Sequence, residues 1–263
     1  MPVPNVRGKH ASESVYRPDD FVARLRENGW DPGPIPDGVI FTYGGFDLLC
    51  ATQPDSYSMN PMLGPGPGRF FIRSATGGRV GVCCMGIGAP AVVAQLEILI
   101  SLGVRHFLSL GTAGGLGPAQ ALGDVVLLTG AIRDEGTSYH YVPADADVSP
   151  DAALTDALAE AVDRAGIPSS AGWTWTTDAP YRQSAEEIIE YRRRGVLTVE
   201  MEAAALFAVA GARGVKLASA VVLDAVFGNP VGPPHTDSAI AFGRLYDVFL
   251  AAIELLATRA PGP

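Results

Sequence analysis

The sequence predicts an α/β fold, and three observations carry the prediction. Apolar runs such as "RVGVCCMG" and "KLASAVVL" lack the alternation of a half-exposed sheet, so their strands are expected to be covered on both faces. Helix-patterned stretches stand between those runs, as crossover connections between layers require. No internal repeat and no linker interrupts the series, so residues 36–263 are expected as one domain behind an N-terminal arm or lead-in, residues 1–35.

The elements follow in order. The lead-in is polar and proline-bearing, with one amphipathic stretch over residues 19–27. "GVIFTY" reads as a strand, and residues 54–68, "PDSYSMNPMLGPGPG", as a loop dense in proline and glycine. Then come "RVGVCCMG" as strand, residues 89–102 as helix, and "RHFLSLG" and "DVVLLTGAIR" as strands. Beyond a polar loop around Tyr139 stand a helix over 151–165, a strand through "GWTWTT", and a helix over 184–194. A helix over 203–212, the strand "KLASAVVL" and a long amphipathic helix from 237 to about 257 close the chain.

Composition narrows the partners. Hydrophobic residues make up 48% and charged residues 18%, a globular balance. A net charge of −9 offers no general field for nucleic acid or an anionic membrane. Local arginines can still hold a small anion. The three cysteines, Cys50, Cys83 and Cys84, lack metal-ligand spacing and read as reduced thiols, two of them on a buried strand. The four histidines show no ligand spacing either, so no metal is expected. The sequence as it stands opens without a hydrophobic signal core, and no segment approaches the roughly 20 apolar residues of a span. A cytoplasmic protein is the expectation.

In open α/β sheets, ligands gather at the carboxyl ends of the strands, and that rule ranks the motifs. "SLGTAGGLG" follows a strand; its glycines suit either a tight turn or a cradle of backbone N–H groups, with the Thr112 hydroxyl as a further donor. "CMGIGAP" is a glycine turn leading into a helix. "IRDEGTSYHY" is unusually polar for a connector, although solvation alone accounts for such a loop. Asp224 ends an apolar strand; there a carboxyl group either caps a helix or keeps its proton and serves as a general acid. In "VEMEAAAL", Glu200 and Glu202 flank Met201. Two helical positions that far apart point about 200° away from each other, so the helix is expected to start at or after Met201. Acids at that point complement the helix dipole. A carboxylate can also accept both hydroxyls of a vicinal diol.

Together "MGIG", "SLGTAGGL", "GDVVLLTGAIRDEGTSYHYVP", "WTTDAPYR" and "VEMEAAAL" resemble the nucleoside phosphorylase and nucleosidase superfamily, with "IRDEGTSYHYVP" most similar to the uridine phosphorylase branch. The resemblance implies a three-layer α/β/α sandwich around a central mixed, partly barrel-like sheet, assembled as a dimer or trimer of dimers that shares active-site residues across the interface. It implies a small nucleoside and phosphate as ligands, with phosphate a co-substrate and no cofactor. Glu202 would hold the ribose 2′- and 3′-hydroxyls, Met201 would pack on the sugar, and Glu200 would stand behind them. Thr112 would touch phosphate and ribose, and Gly111 and Arg73 would serve phosphate, with Arg73 lent to a neighbour. Ala113, Gly114 and Tyr181 would face the base, His10 would reach a neighbour's ribose, and Asp224 would protonate the base.

Two features depart from that pattern. Phosphorylases carry an arginine where Ser109 stands, and a Gly-Asp-Pro-x-x-Arg loop where "FTYGGFDLL" stands. Asp224 matches the purine phosphorylases and adenine nucleosidases, whereas uridine phosphorylases use an arginine at the position of Ala225. Three readings therefore stay open: a phosphorylase, a nucleoside hydrolase using water, and a non-catalytic nucleoside-binding protein.

Overall fold

The computed structural model describes residues 6, 8–45, 50, 57–59, 69–117 and 119–258. Among them lie ten strands and six α-helices. The strands are β1 (Gly38–Tyr43), β2 (Tyr57–Met59), β3 (Arg69–Arg73), β4 (Val80–Met85), β5 (His106–Gly115), β6 (Val125–Asp134), β7 (Ser169–Thr177), β8 (Thr198–Glu200), β9 (Lys216–Val226) and β10 (His235–Thr236). The helices are α1 (Pro18–Glu27), α2 (Ala89–Ser101), α3 (Ala152–Arg164), α4 (Ala185–Arg193), α5 (Ala203–Arg213) and α6 (Ser238–Thr258). Of the loop expected over residues 54–68, only β2 lies within the described residues.

Successive strand residues bury on opposite faces of one sheet, which is why the runs read as continuously apolar. In β1, Val39 and Phe41 join a core shared with α2 and α5, and Ile40 joins a second core shared with α3 and α6. In β9 the same division sends Leu217, Val221 and Leu223 one way and Ala218, Ala220 and Val222 the other. The result is the expected α/β/α sandwich. Val22 of α1 enters the first core. The three cysteines are buried and in no disulfide, with Cys83 and Cys84 on β4. No helix among the described residues is long and apolar enough to cross a membrane.

The sheet is mixed, and part of it closes on itself. β9 pairs in parallel with β5 and antiparallel with β6; β6, β7 and β8 follow in parallel, and β8 returns antiparallel to β5. Five strands thus form a ring, and β1, β4, β3 and β2 extend from it in that order beyond β5. Strand β5 changes neighbours along its length. Its edge pairs with β1 as far as Leu110 and with β8 only from Gly114. Between these points that edge carries no strand ladder.

One reading is corrected, and one strand is added. The glycine segment after "RHFLSLG" is not a turn, because β5 continues through Gly115. Its glycines admit neighbouring side chains: a Cβ on Gly111 would lie 2.9 Å from Cδ2 of Tyr43, and one on Gly115 would lie 2.6 Å from Cδ1 of Leu223. Residues 198–200 form strand β8 ahead of α5, a piece too short for periodicity to announce.

The remaining boundaries follow local chemistry. Asp151 caps α3 by accepting the N–H of Leu154 at 2.7 Å. Ser184 and Glu187 form a capping box at α4. Gly214, at φ 66°, ends α5 in the left-handed conformation that glycine tolerates.

Gly111→Ala is expected to destabilise the protein by about 1–3 kcal/mol, because the new methyl meets the ring of Tyr43 inside the sheet. Urea denaturation checks this. An unchanged midpoint would mean that the ring yields without cost.

Candidate active site

A cleft of about 420 Å³ opens at the carboxyl ends of β1, β5, β8 and β9, over the uncovered stretch of β5. Tyr43, Thr112, Glu200, Met201, Glu202 and Asp224 all line it. Ala113 and Gly114 form its floor, and Phe227 and Val199 contribute apolar wall. The structure thus brings Thr112, Ala113, Gly114, Glu200, Met201, Glu202 and Asp224 to one place.

Glu200 and Glu202 are both buried, at 9% and 8% exposure, yet they are held differently. The Oε2 of Glu200 accepts the N–H groups of Glu202 at 2.8 Å and Ala203 at 2.7 Å. These are orphan donors at the start of α5. Its Oε1 accepts the hydroxyl of Thr176 at 2.5 Å. Glu202 instead turns toward α2, where its Oε1 accepts the N–H of Gly88 at 2.6 Å. Gly88 caps α2 at φ 109°, a conformation that glycine adopts readily. The dipole reading of the acid pair therefore describes Glu200, and Glu202 is the acid left with acceptor capacity toward the cleft.

Burial pushes both carboxyl groups upward, and donors to Glu200 pull it back. Glu202 is raised to about 8, first by burial and then by the charge of Glu200; the N–H groups of Gly88 and Met201 oppose the rise. The pair accommodates one negative charge readily, and the better-supported Glu200 keeps it. Across the cleft, burial also raises the half-buried Asp224, against a hydrogen bond from the Thr112 side chain. Tyr43 shares a 2.9 Å hydrogen bond with Ser109, and burial, with Glu202 nearby, keeps its phenol neutral by raising it well above its ordinary value.

Other expected residues lie elsewhere. Tyr181 is 99% exposed and is not among the lining residues, although its neighbours Pro180 and Gln183 are. Gly111 lies beneath Tyr43 in β5. Arg73 ends β3, outside the lining. His10 lines a larger, separate groove of about 1150 Å³ that also holds His140, Tyr141 and Arg213. Among the described lining residues of the cleft there is no lysine, arginine or histidine. No group of three or more His, Cys, Asp or Glu among the described residues is placed to hold a metal ion.

The polar loop after β6 spends most of its groups on itself. Arg133 donates to Ser138 and to the carbonyls of Pro143 and Ala146, and its guanidinium stands 4.2 Å from the Tyr139 ring centroid. Glu135 accepts the N–H groups of Thr137 and Ser138.

A family model described as the phosphorylase superfamily matches residues 42–257, a span that contains every residue of the cleft. The chain belongs to the phosphorylase superfamily. Among known superfamily members it is 35% identical to the guanosine phosphorylase of Halorubrum lacusprofundi over 159 residues, 59% of this chain and 66% of that protein. It is 32% identical to the uridine phosphorylase of Salmonella typhimurium over 149 residues, covering 51% of this chain and 59% of that one. With the uridine phosphorylase of Treponema pallidum it shares 35% over 161 residues, 57% of this chain and 61% of the other. The chain thus spans about six-tenths of the length of these relatives.

Tyr43, Gln183 and Phe227 line this superfamily cleft without having been singled out in the sequence. Tyr43 was within reach of the strand-end rule, since it closes β1. Gln183 and Phe227 carry no such signal.

The raised Glu202 has a consequence for stability. Between pH 4.5, its ordinary value, and about 8, the native protein holds a proton that the unfolded chain has released. Stability therefore falls as pH rises through that window. Glu202→Gln mimics the protonated acid, so it is expected to leave Tm nearly unchanged near pH 5 and to raise it by several degrees, relative to the parent, near pH 8.5. Thermal melts at both values check this; an equal difference at the two would place the proton elsewhere.

Proposed function

We propose that the protein is a nucleoside phosphorylase, cleaving the N-glycosidic bond of a ribonucleoside with phosphate to give free base and ribose 1-phosphate. The observation that carries this reading is the pair of unlike carboxyl groups in one cleft, Glu202 held beside α2 and Asp224 at the end of β9. The names of its relatives, a guanosine phosphorylase and uridine phosphorylases, support it.

Cleavage of a glycosidic bond passes through an oxocarbenium-like sugar, so the site must orient the ribose and neutralise the departing base. Binding of the ribose displaces the proton that Glu202 holds in the free protein, and the carboxylate then accepts the 2′- and 3′-hydroxyls, with Met201 against the sugar and Glu200 behind. As the C1′–N bond breaks, its electron pair goes to the base, and the proton of Asp224 goes to a base nitrogen. An oxygen of phosphate then bonds to C1′ from the side of Thr112 and Gly111, while Ala113 and Gly114 lie along the base. The reaction needs no cofactor. Charge-assisted donors for phosphate would come from a second copy of the chain, through Arg73, with that copy's His10 reaching the ribose, while the chain's own Tyr181 would lie near the base. Buried thiols outside any disulfide fit a cytoplasmic setting.

One observation favours a second reading, hydrolysis. The described lining contains carboxyl groups and no cation, and residues 44–68 contain no lysine or arginine at all. Water requires none of the donors that a phosphate dianion needs.

Two measurements test these readings. Purified protein incubated with guanosine and with uridine is expected to release base in proportion to added phosphate and to form ribose 1-phosphate. Release that ignores phosphate transfers the function to the hydrolase, and binding without release leaves a nucleoside-binding protein. Asp224→Asn removes the proton donor and is expected to lower kcat by about 10²–10⁴-fold with little change in KM; a kcat within twofold of the parent would remove Asp224 from the chemistry.

A further inference from the structure

Thr176 does not line the cleft, yet it stands directly behind the acids that do. It is completely buried in β7. Its Oγ1 accepts the N–H of Ala204, in the first turn of α5, at 3.0 Å. The hydroxyl has one proton to give, and Oε1 of Glu200 lies 2.5 Å away to receive it. One side chain thus ties β7 to the start of α5 and to Glu200 at once.

Thr174 is a poor substitute. Its own single proton lies between the carbonyl of Thr198 at 3.3 Å and Glu200 at 3.5 Å. Without the Thr176 hydroxyl, Glu200 Oε1 would keep only that long contact, and a buried carboxylate short of a donor rotates or takes up a proton. Either change reaches Glu202 by a short path, because the other oxygen of Glu200 holds the N–H of Glu202 itself at 2.8 Å. Among the described residues, the titratable groups that act on or are acted on by Glu202 include Glu200, Asp178 and Tyr43, and of these Glu200 is the one hydrogen-bonded to the Glu202 backbone.

We infer that Thr176 is a positioning residue: acting through Glu200, it fixes the orientation of the Glu202 carboxylate that grips the ribose diol. The inference rests on the diol role proposed for Glu202, and its test separates the two. kcat/KM is measured for a ribonucleoside and for the 2′,3′-dideoxy form of the same nucleoside, which offers no diol. The proteins are the parent, Glu202→Gln, Thr176→Val, Thr176→Ala and Thr176→Ser.

The parent is expected to prefer the ribonucleoside, and Glu202→Gln to abolish that preference. Thr176→Val and Thr176→Ala are expected to lower kcat/KM for the ribonucleoside by about tenfold or more, while the dideoxynucleoside value stays within about twofold. Thr176→Ser restores the hydroxyl and is expected to restore the preference. If Val fails to fold, Ala and Ser give the same contrast. Equal losses on both substrates would mean that Thr176 is only structural and would overturn the inference. So would an intact preference in the Val or Ala protein while Glu202→Gln abolishes it. A parent that does not distinguish the two substrates overturns the diol role of Glu202, and the positioning role with it.

Discussion

Two carboxyl groups, two residues apart and both buried, cannot carry full charge side by side without strong repulsion. The arrangement around "VEME" answers that constraint. Glu200 is given three close donors, two from the first turn of α5 and one from Thr176, so it can remain ionised out of water. Glu202 is turned the other way, onto the N–H of Gly88. The short strand β8 sets this division, because it places Glu200 in the sheet and lets the helix begin only at Ala203. A longer helix would have swung the two acids apart. The neighbouring helices α2 and α5 are also joined at their far ends, where Arg213 grips Glu97 at 2.7 and 2.9 Å. The two helix starts that meet at the acids therefore belong to one braced pair.

The cleft itself is a product of strand exchange. β5 gives up β1 at Leu110 and takes on β8 at Gly114, and the interval between them is where Thr112 and Ala113 face the open space. Closing five strands into a ring requires such an exchange somewhere, since β5 must leave the flat part of the sheet to enter the curved part. Ser109, where the phosphorylase pattern has an arginine, is spent on Tyr43. Among the described residues, the chemistry available at the rim is thus that of carboxyl groups, a hydroxyl, a phenol, an amide and aromatic surface, in a protein whose net charge is already −9.

Much of this was legible in the sequence, for identifiable reasons. β1 was read from "GVIFTY" residue for residue, and the helices were read as helix-patterned stretches between the apolar strand runs. The start of α5 was legible from the divergence of neighbouring helical side chains. The course of β5 was not. Gly111 and Gly115 look locally like a turn, and the tightest approaches that explain why glycine stands there, the ring of Tyr43 and the methyl of Leu223, come from segments distant in sequence. The ring closure was implied by the family resemblance alone and not by any local pattern, since it depends on pairings between segments up to 111 positions apart. Thr176 escaped notice because a threonine in a strand is ordinary, and its importance lies in the partners that the fold brings to it.

The bare stretch of β5 bears on how such proteins diverge. Backbone amides are inherited with the fold; apart from proline, no point mutation deletes one. Side chains at the rim change freely by comparison. Descendants of one ancestral chain can thus exchange one attacking group for another by gaining or shedding cations around an unaltered strand, which makes kinship in this fold a better guide to the bond that is broken than to the molecule that breaks it.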